Sequence, residues 1–300
     1  MKKKILIAGS TGYLGNLLLH ELNKDYWVET SDFRAETVNI DQQVDVVINC
    51  IGKTPDIKEW SYNEYEKSNV QVVKKIYETF INSNAKLLIH FSSISAVEEE
   101  EFNGHMDEDT LCNPKSNYGI TKRMAEVFLL EKVNELKDKK IVILRPTRIH
   151  GPNDKGTIYS LYNFLSKGIP YPFGSVDNAR SFLGMDNLYF FIKQLIKKNE
   201  TIESGIYNVN DDEPLSTLRI VQLIKENSKK KIFILNIPKF VFNAVAKIGD
   251  KLKLPVNSLT LKKITSSRIV SNNKIKQALE INRLPFSAEE CLLETIKSFK

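Results

Sequence analysis

The sequence has few cysteines and no long apolar run, and each shortage excludes a class of protein. Cys50, Cys112 and Cys291 are the three cysteines in 300 residues, and no two of them have the spacing of a disulfide framework or a metal site. We therefore predict reduced thiols and no metal. No stretch of about 18 apolar residues occurs, so we expect no integral membrane segment.

The apolar run near the start of the sequence is also shorter than that of an export signal. Lys2 to Lys4 are basic, but the apolar run that follows covers only Ile5 to Ala8 and breaks at Gly9. That run is too short for a signal peptide. Together with the unpaired thiols, it predicts a cytoplasmic protein.

A small basic excess accompanies a composition that is ordinary for a globular protein. The chain is 42% apolar and carries 43 basic against 37 acidic residues, a net charge of +6. We interpret the excess as a general bias in composition, and the run Lys229 to Lys231 as a solvated connection. No aromatic-basic module accompanies it, so we predict no nucleic-acid partner.

The first half of the chain alternates apolar runs with helical patterns. Strands are predicted at 4–8, 44–50, 86–91 and 140–145, and helices at 13–22, about 62–82 and 118–136. Fully apolar strands separated by helices are typical of a parallel sheet covered on both faces. We therefore predict an α/β protein with a doubly wound parallel sheet of the Rossmann type.

After Pro146 the pattern becomes less regular, and a second region is predicted there. Ser216 is a candidate N-cap for a helix, while the stretch 233–254 is apolar and basic at helical spacing. We interpret that stretch as a core cover or subunit contact rather than a membrane contact. The predicted domains are a dinucleotide-binding domain over 1–150, with returning segments near 181–210, and a smaller mixed α/β substrate-binding region over 151–300.

Three glycines follow the first predicted strand at a regular interval. Gly9, Gly12 and Gly15 lie three residues apart between that strand and the first helix. Glycines let the backbone turn sharply and approach a pyrophosphate, which the N–H groups and partial positive charge of the helix N-terminus attract. We predict a dinucleotide site at this turn. Its other contacts are predicted to come from Thr11, Tyr13 and Leu14.

An acidic residue lies where the cofactor ribose is expected. A further strand, the second in the chain, is predicted between the first helix and residue 44. Asp32 follows Gly15 by seventeen residues and lies near the end of that strand. A carboxylate there accepts both ribose hydroxyls and repels a 2′-phosphate, which favours NAD. Arg34 offers the opposite preference, because its guanidinium can hold that phosphate. We predict NAD as the cofactor, with NADP as the alternative.

A tyrosine and a lysine open the helix that follows the fourth predicted strand, 86–91. Tyr118 and Lys122 are four residues apart, so they share one helical face. A tyrosine hydroxyl is a poor acid–base group at neutral pH unless a nearby ammonium stabilises its phenolate. We predict Tyr118 as the catalytic acid–base and Lys122 as the group that tunes it and holds the nicotinamide ribose.

Serines follow the apolar strand 86–91. In a parallel sheet the carboxyl ends of the strands are where ligands bind. Ser93 is predicted to hydrogen-bond the substrate oxygen beside Tyr118, with Ser95 as the second choice.

Taken together, these residues resemble the extended short-chain dehydrogenase/reductase family, in particular its epimerase/dehydratase group that acts on nucleotide sugars. The resemblance covers nearly the whole chain. It is carried by Gly9-x-x-Gly12-x-x-Gly15, Tyr118-Gly-x-x-Lys122 with Glu126, Leu144-Arg145-Pro146 through Gly151-Pro152, Arg180-Ser181-Phe182, Met185-Asp186-Asn187-Leu188, and Tyr207-Asn208-Val209 before Ser216. The stretch 168–181 resembles a subgroup from surface-polysaccharide synthesis that contains 4-ketoreductases and 4-epimerases.

The resemblance implies roles for further residues. It places Asn69 on the substrate side, where it steadies the active-site backbone, and it implies that Arg180 binds the substrate diphosphate, which suits a guanidinium. Lys53 departs from the usual family sequence, and we predict that it touches a cofactor or substrate phosphate. The family also implies a homodimer built partly from the Tyr62 and Tyr118 helices.

Two departures from the family pattern bear on the reaction. Ile94-Ser95 stands where the 4,6-dehydratases carry an acidic pair, which disfavours dehydration. The acidic run Glu98 to Glu101 is interpreted as a solvated loop.

The leading hypothesis is an NAD(P)-dependent reductase that acts at C4 of a UDP-linked 4-keto sugar in surface-polysaccharide synthesis. A 4-epimerase that uses bound NAD requires the same residues and is the alternative. Two further hypotheses are a non-catalytic dinucleotide-binding sensor or scaffold, and a reductase of a carbonyl compound without a nucleotide.

Overall fold

The computed structural model describes residues 2–35, 41–55, 60–98, 104–252 and 257–299. The strands are Lys4–Ala8 (β1), Trp27–Ser31 (β2), Val46–Asn49 (β3), Leu87–Phe91 (β4), His105–Met106 (β5), Lys140–Pro146 (β6), Arg148–His150 (β7), Phe182–Gly184 (β8), Gly205–Val209 (β9) and Ile269–Val270 (β10). The α-helices are Tyr13–Leu22 (α1), Tyr62–Glu66 (α2), Val72–Asn82 (α3), Asn117–Val133 (α4), Thr157–Ser166 (α5), Met185–Lys197 (α6), Thr217–Asn227 (α7), Lys239–Leu252 (α8), Ser258–Thr265 (α9), Asn273–Leu279 (α10) and Ala288–Lys297 (α11).

A six-stranded parallel sheet forms the centre of the molecule, in the order β2-β1-β3-β4-β6-β9. The prediction of a doubly wound parallel sheet is confirmed. The chain leaves β1 for the edge strand β2 and then returns to the other side of β1 with β3. The carboxyl ends of β1 and β3 therefore form the switch point at which such sheets bind ligands.

Both faces of this sheet are buried, which explains its nearly continuous apolar strands. On one face Ile5 and Ile7 pack with side chains of α1 and α6, including Leu18 and Phe191. On the opposite face Leu6 and Ala8 belong to a second cluster that includes residues of α3 and α4. Alternate residues of one strand thus serve two cores, because successive side chains point to opposite faces.

The helix predicted over 62–82 contains a π-helical segment, Lys67–Gln71, between α2 and α3. Helix α2 begins at a capping box, in which the Ser61 hydroxyl accepts from the Glu64 amide and the Glu64 carboxylate accepts from the Ser61 amide. Single-turn π segments widen a helix locally and often occur at functional sites. Here the segment carries Asn69, which is fully buried.

The remaining elements form two short parallel pairs, β5 with β10 and β7 with β8, and a helical cluster at the C-terminal side. The last strand of the main sheet, β9, comes from the predicted returning segment; the division into domains stays a prediction. Among the described residues, no helix is long and apolar enough to cross a bilayer, and no group of three metal-ligating side chains occurs.

The stretch 233–254 was predicted from its helical spacing, but the helix begins only at Lys239. Residues 233–235 are extended instead, because they pair with another segment. The Tyr171 amide donates to the Phe233 carbonyl at 2.8 Å, and the Leu235 amide donates to the Tyr171 carbonyl at 2.8 Å. A backbone partner distant in sequence therefore overrides the local periodicity.

Apolar side chains lie exposed on the helices that the resemblance implied in a homodimer. Tyr62 on α2 and Met124 and Val127 on α4 are each about two-fifths exposed, at 41%, 38% and 39%. The Tyr62 hydroxyl donates to the Met124 sulfur at 3.3 Å, so the two helices meet at this surface. The homodimer itself stays a prediction.

Candidate active site

The glycine turn after β1 has the geometry that its sequence predicted. Gly9 has a φ of +89°, a conformation that side-chain-bearing residues rarely adopt. A Cβ on Gly15 would lie 2.2 Å from the Gly9 carbonyl oxygen, so only glycine lets α1 approach the turn this closely. A Cβ on Gly12 would lie 3.5 Å from the same oxygen, which is an ordinary contact. Gly12 is therefore not required by the packing of the protein itself.

The start of α1 fits a dinucleotide pyrophosphate. Gly12 is the N-cap and supplies no side-chain cap, so the first N–H groups of the helix remain available to a ligand. Thr11, Gly12 and Tyr13 are exposed, while Leu14 packs against the core of the sheet. The Tyr13 hydroxyl donates to the Pro152 carbonyl at 3.3 Å, which joins the turn to the loop after β7.

Asp32 directly follows β2, beside the strand that leads into the glycine turn. Its carboxylate accepts from the Arg34 amide at 2.9 Å, and both side chains are exposed. The acid and the guanidinium thus lie at the same end of the sheet. The preference for NAD over NADP stays a prediction.

Tyr118 and Lys122 lie in the first turns of α4. Ser116 caps this helix, since its hydroxyl accepts from the Gly119 amide at 3.0 Å. Tyr118 is half-buried, with its ring centroid 6.0 Å from that of Tyr65. Lys122 is 4% exposed, and its ammonium donates to the Phe91 carbonyl at the end of β4, at 2.8 Å. This bond fixes the amine at the carboxyl edge of the sheet.

Burial lowers the pKa of Lys122 to about 8. Charged and neutral forms of this amine are therefore both accessible near neutral pH, which suits a group that tunes a neighbouring acid–base residue. The backbone around it is fitted closely. A Cβ on Gly52 would lie 2.9 Å from the Lys122 ammonium and 3.3 Å from the Asn69 side-chain oxygen.

Asn69 joins this loop to α4. Its side-chain oxygen accepts from the Lys53 amide at 2.9 Å, and its amide donates to the Thr121 hydroxyl at 3.1 Å. Both polar atoms of Asn69 thus bond to protein groups in a fully buried position. The arrangement is that of a positioning residue, and it gives the amide no exposed atom with which to bind substrate.

The Lys53 side chain contacts residues at and just before α2. Its ammonium lies 3.4 Å from a Glu64 oxygen and 3.7 Å from the centroid of the Trp60 ring. The predicted phosphate contact stays a prediction, and the observed role of Lys53 is through its main chain. The residues Glu99 to Glu101 of the acidic run lie outside the described residues.

The serines after β4 form a tight turn. Ser93 is half-buried and caps the 3-10 turn Ile94–Ala96, with its hydroxyl oxygen accepting from the Ser95 amide at 3.1 Å. The hydroxyl proton of Ser93 can still be donated to a ligand oxygen. This turn packs against α4, the helix that carries Tyr118.

A buried ion pair lies directly beneath these serines, and its role was missed from the sequence. Glu126 accepts from Arg145 through both oxygens, at 2.8 and 2.7 Å, and from the Ser92 hydroxyl at 2.6 Å. Both charged side chains are at most 1% exposed. The cluster ties α4, the end of β4 and β6 together. The signal was present, since both charges occur in the family motifs, but no periodicity shows that they meet.

Arg180 lies two residues before β8. Its guanidinium donates to the Ser266 carbonyl at 3.0 Å and to the Ser266 hydroxyl at 2.9 Å. Burial and then the nearby Arg148 lower the pKa of Arg180. Two guanidinium groups thus lie close together, because β7 and β8 pair in parallel with Arg148 opposite Phe182. Arg148 was not singled out from the sequence.

A switch-point glycine turn, with a Tyr-x-x-x-Lys helix beside it, defines an NAD(P)-dependent enzyme of the short-chain dehydrogenase/reductase class. The family model described as "NAD dependent epimerase/dehydratase family" matches residues 5–210. The chain belongs to this family. The prediction of an NAD-type cofactor is thereby confirmed.

Relatives of similar sequence agree with this assignment, and a solved structure has the same fold. The UDP-glucose 4-epimerase of Vibrio cholerae is 28% identical over 277 residues, 84% of each chain. The N-acetyl-alpha-D-glucosaminyl-diphospho-ditrans,octacis-undecaprenol 4-epimerase of Escherichia coli O157:H7 is 26% identical over 92% of this chain and 89% of that protein. The crystal structure of UDP-glucuronic acid 4-epimerase from Bacillus cereus with NAD has a TM-score of 0.73, at 20% identity, over 99% of this chain and 98% of its own.

Proposed function

We propose that the chain is a 4-epimerase that uses bound NAD to invert C4 of a diphosphate-linked sugar. The observation that carries the proposal is the placement of Lys122, whose buried ammonium is held at the sheet edge by Phe91, one helical turn from Tyr118. Reduction of a 4-keto sugar stood first from the sequence alone. The order changes because the two relatives described above are named as 4-epimerases.

The chemistry assigns each side chain a task. NAD, when bound at the glycine turn, supplies hydride acceptance and return. Tyr118 takes the proton from the C4 hydroxyl as C4 is oxidised. It returns the proton to the same oxygen when hydride comes back to the opposite face of C4. Ser93 donates a hydrogen bond to the same oxygen and orients it. Lys122 stabilises the phenolate form of Tyr118 and holds the cofactor ribose.

Arg180 and Arg148 are proposed to bind the diphosphate. Two guanidinium groups in close proximity repel each other, and an anion between them removes that repulsion. A diphosphate is shared by nucleotide sugars and by the lipid-linked sugar named for the Escherichia coli relative, so the pair by itself does not select between these carriers.

The experiment is a panel of UDP-linked, dTDP-linked and polyprenyl-diphosphate-linked sugars, together with 4-keto sugars, assayed with NAD, NADH and NADPH. An epimerase yields the C4 epimer with no net consumption of cofactor. Stoichiometric oxidation of NADH or NADPH by a 4-keto sugar would instead establish the reductase.

Tyr118→Phe tests the catalytic assignment. We expect kcat to fall by about 10²–10⁴-fold, because the acid–base hydroxyl is lost, while calorimetry shows unchanged NAD binding. Tyr62→Phe, which removes an exposed hydroxyl on the neighbouring helix, is the matched control. Unchanged turnover in Tyr118→Phe would refute the assignment and favour a non-catalytic dinucleotide-binding protein.

Arg180→Ala tests the substrate class. For a diphosphate-linked sugar, KM should rise at least about tenfold, since a charge-assisted contact to phosphate is lost. An unchanged KM would point to a neutral carbonyl substrate.

A further inference from the structure

An apolar surface lies open on the C-terminal side of the molecule. Among the described residues, four of the twelve exposed large apolar side chains fall between 169 and 240. We call this surface the outer patch; it consists of Ile169, Phe233, Leu235 and Phe240, which lie on or beside the segments that pair at Tyr171 and on helix α8. Phe240 is 73% and Phe233 56% exposed, far more than side chains that merely border a core.

The backbone forces two of these side chains outward. Phe233 and Leu235 lie in the extended segment that pairs with Tyr171. Side chains alternate between the two faces of an extended segment, and Ile232, one residue earlier, is buried. The register that buries Ile232 therefore points Phe233 and Leu235 to solvent. Ile169, two residues before the paired Tyr171, is 42% exposed as well.

Helix α8 extends the patch. Its inner face is anchored by Phe242, which stacks on Phe173 with ring centroids 4.6 Å apart, and by the buried Ala246. Phe240 and Lys247 are seven residues apart, two helical turns, and both are exposed. The helix thus lies flat on the molecule and presents an aromatic and a basic side chain on its outward face.

The positive charge of the chain is concentrated in this region. Residues 229–263 contain nine lysines and one acidic residue, Asp250, so the segment carries a net charge of +8 against +6 for the whole chain. All the other residues together are therefore slightly acidic. The excess is thus not a general bias in composition, as the sequence was first interpreted, but belongs to one segment.

We infer that the outer patch and its lysines dock the enzyme on an anionic membrane surface. Exposed aromatic side chains enter the headgroup boundary, and clustered lysines are attracted to acidic lipids. A second copy of the chain fits this surface less well. In a symmetric contact through this face, the positive segment of one copy would face that of the other, and the like charges would repel. A separate apolar surface, at Tyr62 and Met124, is available for a subunit contact.

The test is co-sedimentation of the full chain with vesicles of phosphatidylcholine alone, or of phosphatidylcholine and phosphatidylglycerol in equal parts. We expect binding to the mixed vesicles only, and less of it as salt is added. The double variant Phe233→Ser with Phe240→Ser should lower the affinity at least about tenfold, because partly inserted rings are lost. Replacing Lys229, Lys230 and Lys231 by Gln should lower it as well.

Controls separate docking from folding and from other partners. Trp27→Ser and Leu111→Ser remove exposed apolar side chains elsewhere, 68% and 87% exposed, and should bind vesicles like the parent. The stabilisation by NAD in thermal unfolding should be the same in every variant. Equal binding to neutral vesicles, unchanged binding of the double variant, or binding only to RNA would overturn the inference. So would conversion of a dimer to a monomer by the double variant without any vesicle binding.

Discussion

The nucleotide half and the C-terminal side of this molecule use polar groups in opposite ways. In the nucleotide half Asn69, Lys122, Glu126 and Arg145 are at most 4% exposed, and each is bonded to groups on other elements. On the C-terminal side the ion pair of Arg219 with Glu289 is more than one-third exposed, and the lysines of 229–231 face solvent.

This difference indicates where each kind of change is tolerated. Burial makes the polar groups near Tyr118 strong determinants of geometry, because a displaced partner leaves an unsatisfied group in a low-dielectric interior. Exposed charges carry no such cost. The polar groups of the nucleotide half are therefore fixed by the core around them, whereas the exposed charges of the C-terminal side can vary without rebuilding a core.

The largest expected effect compares one ion pair from each region. Glu126→Ala leaves the buried Arg145 charge without its partner and should lower the free energy of unfolding by about 3–5 kcal/mol. Glu289→Ala removes the partner of Arg219, also held through two oxygens, but at an exposed site, and should cost at most about 1 kcal/mol. Urea unfolding of both variants gives the comparison. Similar losses would mean that burial does not distinguish the two regions.

The next effect separates the fold of the glycine turn from its ligand. Gly15→Ala places a Cβ against the Gly9 carbonyl and should lower the free energy of unfolding by about 3 kcal/mol. Gly12→Ala meets only an ordinary contact, so its stability should stay close to that of the parent while its NAD affinity falls. Thermal unfolding and calorimetry measure the two quantities. The interpretation fails if Gly12→Ala binds NAD normally.

The smallest effect concerns the buried amine. Because burial lowers the pKa of Lys122 from 10.5 to about 8, the unfolded chain binds more protons between these values, and stability from this group rises with pH across that window. Below pH 8 the buried ammonium is destabilising. The shift corresponds to about 3 kcal/mol at pH 7, of which loss of the hydrogen bond to the Phe91 carbonyl removes about 1 kcal/mol. Lys122→Met should therefore stabilise the protein at pH 7, by about 2 kcal/mol, while activity is lost.

That gain should shrink as the pH rises from about 8 toward 10.5, and denaturant unfolding at several pH values measures it. Lys132→Met, at a half-buried site on the same helix where the ammonium pairs with Glu135, should show no such pH-dependent gain. A gain at Lys122 that does not vary with pH would mean that packing, not charge, causes it.

The sequence by itself determined the sheet, the glycine turn and the Tyr118–Lys122 pair. Each depends on short-range pattern: apolar runs set the strands, the spacing of the glycines sets the turn, and a four-residue interval places two side chains on one helical face. Strand β1 and helix α1 were predicted with the bounds that the structure has.

Only the tertiary structure decided which distant groups meet. The contact of Ser92 with Glu126 and Arg145, the proximity of Arg148 to Arg180, and the outward aromatic side chains at 233–240 all depend on pairings between residues far apart in the chain. Local periodicity carries no information about such partners. Packing and hydrogen-bond satisfaction select them once the elements are assembled, and the same pairing turned a predicted helical start into an extended segment.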